Sequence, residues 1–193
     1  MTVFHLVRHG PTHLKTMVGW TDAPADLSDL AALDRLSSYL PANAVLVSSD
    51  LIRAVATADA IQGGRHRLPH DPDLREINFG RWEQKLYSEA EAEDPARVRS
   101  FLETPGTIRA PDGESWDDLA ARVHPALDRL TGIAPTGRPV VVVAHFAVIL
   151  TALQRAMGVS GAEVLAHRID NLSVTELSLG PAGWDVRLVN HKP

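Results

Sequence analysis

Two histidines stand directly after short apolar runs: His9 follows Val3–Val7 and Arg8, and His145 follows Val140–Ala144. A neutral imidazole can attack an electrophile or carry a proton. The Arg8 guanidinium beside His9 offers a planar fork of donors that suits phosphate or carboxylate. Arg53 falls in the first turn of an expected helix, where free backbone N–H groups favour anions. Two histidines and two arginines in one pocket suit a phosphate dianion better than a carboxylate, because several donors can share its oxygens. A histidine nucleophile must be deprotonated, with its tautomer fixed, and the departing alkoxide needs an acid. Glu76 is the best candidate acid, since Leu74, Ile77 and Phe79 would raise its pKa by desolvation. Glu83 is acidic and nearby as well. Taken singly, Arg8-His9 is only a polar strand end, Arg53 a surface cation and Glu76 half of an ion pair.

What must position these groups is legible in the surrounding pattern. Val3–Val7 reads as a buried strand that Gly10-Pro11 breaks. The C-terminal ends of strands are where open α/β sheets place ligands. Residues 11–29 read as loop, including Gly19-Trp20-Thr21-Asp22. Ser28 or Asp29 caps a helix to about Leu40, with Leu30, Leu33, Leu36 and Leu40 on one face. Val45–Val47 is a second buried strand, after which Ser49 or Asp50 caps the helix carrying Arg53. A third strand is expected near His66–Leu68. The stretch from Arg75 to Glu83 alternates charges with large apolar groups, which fits a half-buried strand or a pocket wall. Residues 83–103 read as helical with a break at Pro95, and Ser115 caps a long helix. Four consecutive valines at 140–143 suit a strand covered on both faces of a parallel sheet. A helix follows from Phe146 to Met157, and Asn171–Leu177 with Trp184–Val189 forms a C-terminal hairpin. Alternating strands and helices imply an α/β fold: three layers, α/β/α, around a mostly parallel central sheet. If the strands ending at His9 and His145 are parallel neighbours, both histidines and both arginines share one pocket.

The 193 residues, net charge −5 and absence of cysteine narrow the function. An acidic chain without a clustered basic face is a poor nucleic-acid binder. Disulfides, thiolate metal sites and cysteine nucleophiles are excluded. No apolar run approaches the ~20 residues of a membrane span. The expected location is cytoplasmic, since the N-terminus enters the first strand at once. A single domain over residues 1–193 is expected, with a helical and loop excursion at about 83–114 over the site. An edge strand or the hairpin offers a route to a homodimer, although no residue pattern demands one.

In combination these stretches resemble the histidine phosphatase superfamily, branch 1, which includes the cofactor-dependent phosphoglycerate mutases. Arg8-His9-Gly10 is similar to that family's N-terminal signature. Ser48-Ser49-Asp50-Leu51-Ile52-Arg53-Ala54 is similar to its second arginine motif, and Leu74–Glu83 to its acid-bearing segment. Asp112-Gly113-Glu114-Ser115 and Val142-Val143-Ala144-His145 are similar to two later motifs. The resemblance implies a phosphoglycerate mutase-like fold. It implies His9 as phosphorylated nucleophile, with Arg8, Arg53 and His145 as phosphate ligands and Glu76 as proton donor. Thr12 is a further candidate phosphate donor. No metal and no cofactor are implied, and the partner is a small phosphorylated metabolite such as α-ribazole phosphate, a sugar phosphate or a phosphoglycerate. Three departures bear on substrate: Pro11 replaces a frequent Glu, Lys15 stands near the place of an Asn, and Phe146 replaces a glycine after His145. The leading expectation is a metal-independent phosphatase. A phosphoglycerate mutase and a non-catalytic phosphate-binding protein are the alternatives.

Overall fold

The four-valine run is the middle of the molecule. In the computed structural model, which describes residues 1–133 and 137–193, strand β4 (Val140–Ala144) is buried at every position. Its neighbours are β1 (Thr2–Arg8) on one side and β2 (Val45–Ser48) on the other, both parallel to it. The short β3 (His66–Arg67) extends the parallel part beyond β2. On the far side of β1 the sheet turns antiparallel, through β5 (Val174–Gly180) and β6 (Gly183–His191). The strand order is therefore β3-β2-β4-β1-β5-β6.

Alternation along each strand splits the core in two. Val141 and Val143 join Val7, Leu46 and Val174 against α1 (Leu30–Tyr39) and α2 (Ile52–Ile61). Val140, Val142 and Ala144 join Phe4, Leu6 and Val47 against α5 (Trp116–Ile133) and α6 (Phe146–Met157). This is the expected three-layer α/β/α arrangement. Burying one such aliphatic side chain stabilises by about 1.5–3 kcal/mol, which favours a non-alternating central strand over a half-exposed one. None of the helices among the described residues is long and apolar enough to cross a membrane.

Several local expectations change. Ser49 and Asp50 do not cap α2. Asp50 is taken by Arg75, which bonds both of its oxygens, and Ser49 Oγ accepts from Leu51 N–H. Asp22, from the loop after β1, instead accepts the Ile52 N–H at 2.7 Å. Leu30 is 73% exposed, because it opens α1 before the helix reaches the sheet, whereas Leu33, Leu36 and Leu40 pack. The Arg75–Glu83 stretch is a wall rather than a strand. Two 3-10 turns, Pro72–Leu74 and Gly80–Trp82, flank an extended link. Gly80 has φ +52°, and a Cβ there would lie 2.1 Å from the Pro111 carbonyl oxygen, so the wall lies directly on the 110–114 loop.

The helical excursion begins at Tyr87 rather than 83. It consists of α3 (Tyr87–Glu93) and α4 (Pro95–Glu103), with Pro95 opening the second helix and Asp94 capping it. Phe101 of α4 packs on Trp82 edge-to-face with ring centroids 5.3 Å apart, which ties the excursion to the wall. The hairpin starts at Val174, three residues later than its alternation suggests. Residues 170–173 form a turn in which Leu172 N–H bonds the Arg8 carbonyl. A short α7 (Gly161–Val164) precedes that turn.

Candidate active site

Parallel pairing of β1 with β4 aligns Arg8 opposite Ala144, so His9 and His145 leave the sheet side by side. Their rings lie 5.0 Å apart between centroids, tilted by 58°. His9 N–H donates to the Ala144 carbonyl (3.1 Å), Gly10 N–H to Thr57 Oγ1 (3.0 Å), and Asn171 Nδ2 to the His9 carbonyl (2.7 Å). The backbone around His9 is thus held from β4, α2 and the 170–173 turn.

The His9 ring has a defined tautomer. Nδ1 lies 2.6 Å from the Gly10 carbonyl oxygen, which can only accept, so Nδ1 carries the proton. Nε2 keeps its lone pair and accepts a long bond (3.3 Å) from Arg53 Nε. Burial, reinforced by the Arg53 charge, lowers the His9 pKa to about 3. The ring is therefore neutral throughout the physiological range.

Arg53 is almost wholly buried. Its other nitrogens donate to the Gly19 carbonyl (2.6 Å) and the Thr21 carbonyl (2.9 Å). Arg8 donates from Nη1 to the Ile169 carbonyl (2.5 Å), lies 5.4 Å from the centroid of the Phe146 ring, and keeps a buried Nε without a partner. Glu76 is buried beside the start of α6. Its carboxyl accepts from Ile77 N–H at 3.0 Å and from Ala147 N–H at 3.2 and 3.3 Å. Burial raises its pKa, against those N–H groups and the two arginines, so the net direction favours the protonated acid.

A cavity of about 260 Å³ is bordered by Arg8, His9, Arg53, Glu76, Thr12 and Phe146. An adjoining cavity of about 280 Å³ shares Arg8, His9 and Thr12 and reaches Lys15. A larger cleft, about 570 Å³, lies between α1 and residues 170–172 and touches none of the five candidate catalytic groups. His145 is the one candidate that stands back from the cavity wall: it is fully buried behind His9, with both ring nitrogens unpaired. Burial and the neighbouring His9 and arginines hold its pKa well below the usual histidine range.

Other residues surround the site that residue types alone did not single out for it. Arg122 grips the Glu76 segment by donating to the carbonyls of Asp73, Arg75 and Glu76, and pairs with Glu114 at 2.7 and 2.8 Å. Glu114 in turn accepts from Asn78 N–H. Glu83 lies outside the cavity lining, and its carboxylate is taken up by backbone donors. The only advance signals were the Asp-Gly-Glu-Ser stretch and the acidity of Glu83. Nothing marked Asn171 or Arg122.

The buried neutral histidines make stability depend on pH. The unfolded chain takes up protons near pH 6.5, while folded His9 resists until about 3 and His145 also resists. Their contribution is complete above the unfolded value and is lost as pH falls through this window. The thermal midpoint should therefore drop between pH 6.5 and 4.5. Calorimetry of His145→Gln should show a shallower drop, and an equally steep one would sink the assignment.

The chain belongs to the histidine phosphatase superfamily (branch 1), whose family model matches residues 4–192. It is 32% identical over 201 residues to a bifunctional protein of Mycobacterium tuberculosis, matching 96% of this chain and 52% of that protein. The chain thus spans about half the length of the first curated relatives it matches. It is 26% identical to the probable phosphoglycerate mutase GpmB of Proteus mirabilis, over 95% of this chain and 88% of that one. A mycobacterial glucosyl-3-phosphoglycerate phosphatase superposes with a TM-score of 0.85 at 27% identity, covering 99% of both chains. Its relatives by sequence and by structure thus include a probable phosphoglycerate mutase and a phosphatase.

Proposed function

We propose that this chain is a metal-independent phosphatase that hydrolyses a small phosphomonoester through a phosphohistidine on His9. The observation that carries the reading is the Nδ1 bond to the Gly10 carbonyl, which leaves the neutral Nε2 as a nucleophile facing Arg53. The substrate's phosphoryl oxygens lie between Arg8 and Arg53, displace the long Arg53–His9 bond, and meet the unpaired Arg8 Nε and the Thr12 hydroxyl. His145 backs His9 and offers one unpaired ring N–H to the phosphoryl group. Nε2 forms a bond to phosphorus as the bond to the leaving oxygen breaks. Glu76 gives that oxygen its proton, and the alcohol departs. The Glu76 carboxylate then takes a proton from water, whose oxygen attacks phosphorus and breaks the P–N bond. Phosphate leaves and neutral His9 is restored.

Charge on the transferring group is met by guanidinium donors positioned in advance. Among the described residues no cluster of three His, Cys, Asp or Glu is placed to hold a metal ion. The remaining lining includes Leu14, Met17, Val18, Phe79 and Phe146, which suits a leaving group with apolar surface. Leu14 is 51% exposed, so water reaches the mouth of the site, and this favours hydrolysis over retention of the phosphoryl group by a mutase. The test is hydrolysis of an aryl phosphate with chelator present, followed by rapid quenching. The expected result is unchanged turnover and an acid-labile phosphoprotein. Loss of activity in chelator, restored by a divalent cation, would overturn the proposal. So would isomerisation of a phosphoglycerate without phosphate release.

A further inference from the structure

Glu83 stands outside the cavity, yet its carboxylate accepts five hydrogen bonds. Oε1 takes the N–H groups of Trp20 (2.8 Å) and Phe79 (3.1 Å). Oε2 takes the N–H groups of Gly19 and Thr21, both at 3.1 Å, and the Thr21 hydroxyl at 2.5 Å. Three consecutive backbone donors, from residues 19, 20 and 21, therefore converge on one side chain. The same residues turn their carbonyls the other way. Gly19 and Thr21 supply the two carbonyl oxygens that hold Arg53, whose remaining nitrogen faces His9 Nε2.

We propose that Glu83 is a positioning residue that shapes the 19–21 turn and thereby fixes the Arg53 guanidinium against His9. This rests on the reading of Arg53 and His9 given above. Residues 19–21 belong to no helix or strand, so no regular ladder holds their carbonyls in place. The turn is also too tight for any other residue at 19. A Cβ on Gly19 would lie 2.0 Å from the Ile77 carbonyl oxygen and 2.4 Å from Glu83 Oε1. Trp20 extends the connection by donating from Nε1 to the Glu76 carbonyl (2.9 Å), and the Arg75 guanidinium lies over its ring at 4.8 Å. One carboxylate thus sets both the cation at the phosphoryl site and the backbone of the acid. Its charge also favours the cationic form of buried Arg53.

Glutamine has nearly the same shape but cannot replace it. Each oxygen of Glu83 accepts at least two donors, so an amide nitrogen at either place would meet N–H groups. Glu83→Gln should therefore be as damaging as Glu83→Ala, while Glu83→Asp recovers part of the function. The expected fall in kcat/KM on an aryl phosphate is about 10²-fold, the scale of a misplaced catalytic group. Three readouts separate positioning from general stability. Inhibition by inorganic phosphate should weaken. The acid limb of the pH profile should move upward, because His9 loses the cation that helps to keep it neutral. The ¹⁵N resonances of the His9 ring should change. If Glu83→Gln does not fold, Thr21→Val removes the hydroxyl bond alone and should move the same quantities by less. Unchanged phosphate inhibition and His9 resonances, with only a lower thermal midpoint, would overturn the proposal. If the wild type neither turns over nor binds phosphate, it is the hydrolase reading that falls. The His9 resonances then still decide whether Glu83 governs the ring.

Discussion

Alanine at position 9 should lower kcat by about 10⁴–10⁶-fold, the range expected if His9 is the proposed covalent nucleophile. The loss should fall on kcat rather than on phosphate affinity. Arg8 and Arg53 carry the donors, and both stay anchored by carbonyls of Ile169, Gly19 and Thr21 that do not involve His9. Inorganic phosphate should therefore inhibit or bind the variant within about tenfold of wild type. The phosphoprotein seen on rapid quenching should vanish. The space left beside the 260 Å³ cavity offers a second check, because added imidazole can restore part of the rate. Phosphate release that survives the substitution, measured against a mock-purified control, would remove His9 from the mechanism. Retained release with a lost phosphoprotein would instead indicate direct attack by water.

Glu76→Gln should divide substrates by their leaving groups. A general acid contributes about 10²–10⁴-fold where the departing oxygen is basic. Alkyl phosphates should lose that factor, whereas an aryl phosphate with an acidic phenol should lose little, because its leaving group needs no proton. The diagnostic is a plot of log kcat/KM against leaving-group pKa, expected to be much steeper for the variant. Equal losses across the series would make Glu76 a structural group. The wild-type profile should carry the same signature in pH. Burial raises the Glu76 pKa, so activity should decline on the basic side as this carboxyl loses its proton. The glutamine variant should lack that basic limb. Stability has the matching sign. A carboxyl whose folded pKa is raised contributes fully below about 4.5, the unfolded value, and loses that contribution as pH rises.

The parts of this architecture that announce themselves in sequence are those governed by burial. Val140–Val143 have no polar alternation, and the strand they form is covered on both faces. Phe4–Val7 is likewise buried, His5 included, so the meeting of two strand ends follows from pairing alone. Glu76 was legible only through its apolar neighbours, and it is indeed buried. What the residue pattern does not carry acts through backbone atoms of irregular segments. Asp22 caps α2 from 30 residues away in sequence, and Asn171 leaves the expected strand to hold the His9 carbonyl. Such contacts have no periodicity, because they depend on where a loop happens to return. Glu83 is the extreme case. Its acidity is plain in the sequence, but its use depends on three N–H groups more than sixty residues upstream.

The place of β1 in the sheet bears on how the protein is made. β1 precedes both of its sheet neighbours in sequence, since these are β4 and β5, at residues 140–144 and 174–180. At 5–20 residues per second, its apolar face waits on the order of ten seconds before both partners exist. During that interval the nascent chain carries the Arg8-His9 motif on an unpaired strand, a template for pairing with other chains. Completion of the sheet around β1 therefore waits on the last third of the chain.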